Sequence, residues 1–315
     1  MLPFTLLSVL LTVMGSATAH PKPMPCSTNA ERLKRGLPVR SPSRKALYNA
    51  ALRIRADPSE AVTFAYSGGV NQYTIPADGY YGFVVQGGEG GASTGGTNAL
   101  GGTAAQVNTT LYVTSGTTLD IVVGGKAADL RTYGGAGGGG SSVYTSSDFD
   151  LLVAAGGGGG GEIAYPNYYA GGDAKADLSS TAGSGTQDGG AAGGTNGQGG
   201  SSYNGPQGGG GGAGFLGNGG SSTGVSSGTG GISKPNWTGG TSFDTNANGG
   251  FGGGGGGGAA SGGSGGGYSG GGSGGRFGAG GGGSNFASVA GLDTVVTIGH
   301  RGNGVVIITP LPGVA

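Results

Sequence analysis

Few residues in this 315-residue chain could perform acid–base or nucleophilic chemistry, and histidine occurs only as His20 and His300. A Ser–His–acid arrangement needs an imidazole between a hydroxyl and a carboxylate. His300 lies in GHRGNG, which reads as a hairpin turn, so an exposed turn residue is expected there. Asp148 and Asp150 form a D-x-D pair that could begin a cation loop. The further oxygen ligands at the spacing of a calcium loop are missing, so both read as loop carboxylates. Cys26 is the sole cysteine, which removes any internal disulfide. Matches to GxGxxG carry no weight, because 85 glycines generate them by chance and no strand–helix unit follows. The expectation is a protein that is not an enzyme and holds no metal or cofactor.

Two positions carry modification chemistry instead. Asn108-Thr109-Thr110 and Asn236-Trp237-Thr238 are acceptor sequons for N-glycosylation. Asn236 lies in a polar loop. Asn108 falls within an expected strand, outward-facing if Val107 and Thr109 face in. Trp237 is the only tryptophan; as an exposed residue it would contact a carbohydrate or protein, and as a buried one it would anchor its loop.

Three regions differ in texture. Residues 1–19 read as a secretory signal peptide, with an apolar core from Leu6 to Met14 and the small residues Ala17-Thr18-Ala19 at a cleavage site after Ala19. That apolar stretch is too short for a membrane span, and no later stretch is longer. The expected location is therefore extracellular. Residues 20–60 are rich in Lys, Arg and Pro and include the dibasic pairs Lys34-Arg35 and Arg44-Lys45. They read either as a pro-segment cleaved after Arg35 or as a solvated basic tail. Cys26 lies here and would leave with the pro-segment or pair between chains. A short helix from Lys45 to Arg55 is compatible with the spacing of Leu47, Ala51 and Ile54.

Residues 61–315 form the glycine-rich part. The whole chain has 15 basic and 15 acidic residues. From Ala56 onward six are basic and fourteen acidic, so 6 − 14 = −8. Such a surface could receive a basic partner, and in a secreted chain the basic charges of residues 20–60 are not expected to bind nucleic acid. Alternating or β-branched runs predict strands at 62–66, 72–75, 80–86, 104–113, 118–123, 141–144, 151–155, 294–298 and 304–309. Tyr81, Phe83 and Val85 should share one face. Helix signals are missing, and strands at both ends of the glycine block imply one all-β domain, a β-sandwich with glycine segments inserted between its strands.

The longest glycine block, Gly249 to Gly283, could be flexible linker or an ordered array. Single aromatics, Phe251, Tyr268, Phe277 and Phe286, punctuate it and its surroundings, and charges are nearly absent. A linker has no need of aromatics. Extended glycine helices with three residues per turn could instead pack side by side and bond one another's backbones, a polyglycine II bundle.

LLVAAGGGGGG at 151–161 resembles the strand-to-glycine junction in the extracellular glycine-rich domain of the anaplastic lymphoma kinase and leukocyte tyrosine kinase receptors. GGFGGGGGGGAASGGSGGGYSGG at 249–271 is similar to a second signature of that domain. IVVGG at 121–125, YGGAGGGGSSVY at 133–144 and GPQGGGGGAGF at 205–215 fit the segments between. The resemblance implies a jelly-roll-like β-sandwich carrying a polyglycine II bundle, and recognition of small basic proteins. Gly258-Ala259 stand where the family carries a cysteine.

These readings converge on a secreted, non-catalytic binding module for an extracellular protein or polysaccharide. The alternative is a structural cell-wall or matrix protein that self-associates through its glycine bundle.

Overall fold

A computed structural model describes residues 61–95, 99–130, 133–164, 166–186, 188–243 and 248–311, all within the compact unit 45–315. His20, Cys26, the leader, the basic segment and the cleavage positions Ala19 and Arg35 lie outside the described residues.

The described residues contain strands and no helix. In chain order the strands are β1 (Val62–Ala65), β2 (Val70–Thr74), β3 (Gly79–Gln86), β4 (Ala104–Val113), β5 (Thr118–Val122), β6 (Ser141–Thr145), β7 (Leu151–Ala155), β8 (Glu162–Ala164), β9 (Asn167–Tyr169), β10 (Phe286–Ala287), β11 (Leu292–His300) and β12 (Val305–Leu311). They form a five-stranded sheet ordered β1-β12-β3-β4-β11 and another ordered β10-β7-β6-β5-β2, with β8 and β9 as a separate hairpin. Every pairing is antiparallel.

The two large sheets share one apolar core, as in a β-sandwich. Tyr81, Phe83 and Val85 of β3 enter it together, as their spacing of two requires. Val107 and Leu111 of β4, Leu119 and Ile121 of β5, Val143, Val153, Val306 and Ile308 complete its centre. Strands β8, β9 and β10 were not legible in the sequence. They are two or three residues long, too short for an alternation to register.

The glycine segments leave and re-enter the sandwich at one end. Segment 87–103 joins β3 to β4, segment 123–140 joins β5 to β6, and residues 156–285 leave β7 and return at β10. These segments are tied mainly by backbone hydrogen bonds. Along 156–161 the partners recur every three residues. Gly157 and Gly160 donate to Gly266 and Gly263, Gly158 and Gly161 donate to Gly88 and Gly91, and Gly159 donates to Gly172. On the acceptor side Gly283 and Gly280 bond the carbonyls of Gly157 and Gly160, Gly138 and Gly135 those of Gly158 and Gly161, and Gly102 that of Gly159. Buried amides need partners, and here successive residues find them in different directions.

Such contact tolerates no Cβ. At Gly255, whose N–H donates to Ser264 and whose carbonyl accepts from Gly137, an added methyl would overlap the Gly210 carbonyl. Gly69, at a turn of the sandwich, would meet nothing within 4 Å.

Candidate functional site

The outer faces of the two sheets differ. On the β10-β7-β6-β5-β2 sheet, Val122, Tyr144 and Leu151 point outward and are covered by Phe215, Trp237, Phe251 and Tyr268 from the glycine-rich segments. The aromatics that punctuate the glycine runs therefore include anchors to a sheet. Trp237 is 3% exposed, with a left-handed φ of 52°. It packs as a loop anchor, so the role of an exposed contact falls away. Its Nε1–H donates to the Tyr144 hydroxyl at 3.1 Å. Burial pushes the Tyr144 hydroxyl above its usual pKa against the pull of that hydrogen bond. Lys234 sits with its ammonium 4.2 Å from the Phe215 ring centre and 5.2 Å from that of Phe149. Desolvation lowers its pKa. Asn236, between Lys234 and the buried Trp237, is exposed.

The outer face of the β1-β12-β3-β4-β11 sheet is more open. One cross-strand row runs Thr63, Ile307, Val84, Asn108, Val295. Asn108 faces outward and is half-buried, while its neighbours Val107 and Thr109 are buried on the other face. Its Oδ1 accepts from Gln106 Nε2 at 3.1 Å, and Thr109 Oγ1 shares a 2.8 Å hydrogen bond with Thr294 Oγ1.

At the end of the sandwich away from the glycine segments lie the turns 75–78, 114–117, 146–150 and 288–291. They carry Asp78, Asp148 and Asp150, and Asp293 follows the last of them; none of the four turns contains Lys, Arg or His. All four carboxylates are exposed. Asp78 accepts from the Ser115 amide at 2.7 Å and Asp148 from Ser147 Oγ at 2.9 Å. Among the described residues none of the four is in an ion pair. The ion pairs present involve Glu89 with Arg301 and Lys126, Asp129 with Lys126, and Asp177 with Lys175. Phe149 (45% exposed) and Val289 (fully exposed) stand among these acidic turns.

Other residues with chemical potential are occupied or isolated. His300 is the last residue of β11 and is half-buried, so the expectation of an exposed turn residue is corrected. The turn is held by Arg301 and the Gly302 amide on Glu89, which draws its neighbour in. His300 Nε2 lies 2.9 Å from the Asn303 carbonyl. Among the described residues no group of three or more His, Cys, Asp or Glu side chains could hold a metal ion. Asp148 and Asp150 are exposed turn residues, as their spacing suggested. Glu162 was not singled out by sequence reasoning. It is 2% exposed, its Oε2 has no hydrogen-bond partner among the described residues, and burial raises its pKa from 4.5 to about 9. Its only early signal was a carboxylate directly after six glycines.

No protein-family model matches this chain, and no curated protein matches it significantly. Among the described residues no helix is long and apolar enough to cross a membrane.

Proposed function

We propose that this chain is a secreted, non-catalytic binding module that recognises a basic extracellular macromolecule through the turns at the acidic end of its sandwich. The observation that carries this reading is the set of four exposed carboxylates, Asp78, Asp148 and Asp150 on the turns and Asp293 at the start of β11, none of them in an ion pair among the described residues; the one cation nearby, Lys234, lies over the Phe149 ring. Rigid scaffolds suit loop-based recognition, and the backbone bonding of the glycine segments supplies rigidity. The likeness to the glycine-rich receptor domain supports the same partner chemistry. It also supports reading the two sheets as jelly-roll-like. The three-residue recurrence of backbone partners supports reading the glycine segments as polyglycine II helices.

The test presents the purified protein to immobilised cationic and neutral ligands at low and high salt. Exposed charges are screened beyond roughly 8 Å at physiological ionic strength. Retention on cationic ligands should fall with salt and with the triple variant Asp78→Asn, Asp148→Asn, Asp150→Asn. Retention indifferent to salt, or confined to neutral glycans, rejects the reading. N-terminal sequencing of exported material tests cleavage after Ala19 and after Arg35.

A structural, self-associating role is the second reading. It is favoured by the edge strand β11, which leaves Val295 52% and Ile298 39% exposed. Concentration-dependent fibres or sheets formed without a partner would support it.

A further inference from the structure

The chain contains five Asn–Gly pairs, at Asn196, Asn204, Asn218, Asn248 and Asn303. Asn–Gly is chemically fragile because glycine has no side chain to hinder its amide nitrogen from attacking the preceding side-chain carbonyl. That attack needs two freedoms. The glycine N–H must be able to lose its proton, and the asparagine side chain must be able to swing onto it.

Hydrogen bonding removes one or both freedoms at four of the pairs. Gly219 donates to Gly231, Gly249 to Gly240 and Gly304 to Gly124. Their asparagines are also held. Asn218 Oδ1 accepts from the Ser233 amide at 2.8 Å and its hydroxyl at 2.9 Å. Asn248 Oδ1 accepts from the Ser242 amide, and Asn303 Oδ1 from the Lys126 amide. Asn196 is exposed, but the Gly197 amide donates to the buried Ser269 Oγ at 3.1 Å. Asn204 differs. It is exposed, and among the described residues the Gly205 N–H has no hydrogen-bond partner. A 3.2 Å bond from the Thr223 hydroxyl to Asn204 Oδ1 is its only side-chain tether there, and as an exposed bond between two side chains it exchanges with water more readily than the bonds from backbone amides that hold Asn218, Asn248 and Asn303.

We propose that Asn204 is the site of spontaneous deamidation in the folded protein, with water as the co-reactant. The deprotonated Gly205 nitrogen forms a bond to Asn204 Cγ. The Cγ–Nδ2 bond breaks and ammonia leaves with the proton it needs. Water then opens the resulting succinimide at either carbonyl, giving aspartate or isoaspartate. The net change is loss of ammonia and gain of water, with no redox step. The product adds one negative charge to the loop that precedes the Gly208–Gly212 run.

The folded full chain would be incubated at mildly alkaline pH, digested and mapped by mass spectrometry, with fragmentation that separates aspartate from isoaspartate. A parallel sample would be held in denaturant. In the folded sample Asn204 should convert about tenfold faster than Asn196, the factor set by one hydrogen bond at the upper end of its net worth. Asn218, Asn248 and Asn303 should stay intact. In denaturant all five should react at comparable rates. Asn204→Gln should abolish the first acidic species on isoelectric focusing, and Asn196→Gln should leave it. Conversion of any other pair ahead of Asn204 in the folded sample, or equal rates for all five, would overturn the proposal.

Discussion

Trp237 Nε1 donates a 3.1 Å hydrogen bond to the Tyr144 hydroxyl, joining the middle of a glycine-rich segment to the outer face of a sheet. Phe215 closes the same contact edge-on to Tyr144, with ring centres 5.4 Å apart. Removing the indole leaves a buried cavity, so Trp237→Ala should cost about 3–5 kcal/mol. Trp237→Phe keeps most of the volume and loses the donor, for about 1–2 kcal/mol. Chemical denaturation of each variant measures this. The single tryptophan should also emit at short wavelength and resist aqueous quenchers in the folded state. Emission typical of exposed indole in the folded state would contradict the packing.

The glycine segments make a contrasting pair of substitutions. Gly255→Val places a branched side chain on the Gly210 carbonyl and should destabilise by at least about 3 kcal/mol, as an overpacked core does. Gly69→Ala meets nothing and should stay within about 0.5 kcal/mol of the parent. Equal melting temperatures for the two variants would mean that the glycine run bears no load.

Glu162 predicts a pH dependence with a definite sign. Its folded pKa of about 9 lies above the usual 4.5, so the folded state holds a proton that the unfolded state has released. Its stability contribution is fully present below pH 4.5 and is lost as pH rises toward 9, at about 1.4 kcal/mol per pH unit for one group. Glu162→Gln removes the ionisation while preserving the shape. The variant should therefore gain stability over the parent at neutral and alkaline pH, and the gain should vanish below pH 4.5. Melting temperatures of both proteins across that range measure the difference. Parallel curves would show that the carboxyl is solvated.

In a host that glycosylates exported proteins, Asn236→Gln should remove a glycan, because Asn236 and Thr238 are both exposed beside the buried Trp237. Asn108→Gln should have the smaller effect, since Asn108 is half-buried in the middle of β4 and tied to Gln106. The mass of the intact secreted protein decides both.

The sandwich was legible because its strands obey a two-residue rhythm. Tyr81, Phe83 and Val85 are buried two apart while Tyr80, Val84 and Gln86 are only partly buried, and β4 and β7 begin and end where their side chains change character. The outward aim of Asn108 followed from the same rhythm. The routing of the glycine segments was not legible, because a run of identical residues carries no side-chain code for register. Register comes instead from occasional larger residues. Ser264 Oγ donates to the Gly210 carbonyl, Ser261 Oγ to that of Gly274, and Phe215, Phe251 and Tyr268 find the outer sheet face. The destination of Trp237 depended on Tyr144, 93 positions away, and nothing local encodes that. Glu162 was hidden for a related reason: its burial is imposed by backbone arriving from distant segments.

The three-residue recurrence along 156–161 has an evolutionary reading. Glycine runs are encoded by near-identical codons, and such tracts lengthen and shorten by replication slippage. Inserting one residue into this stretch would move every later N–H and C=O out of step with the partners it now bonds. Inserting three would restore the phase. Surviving length variants of this chain should therefore differ within their glycine runs by multiples of three, a triplet rule at the level of residues rather than bases.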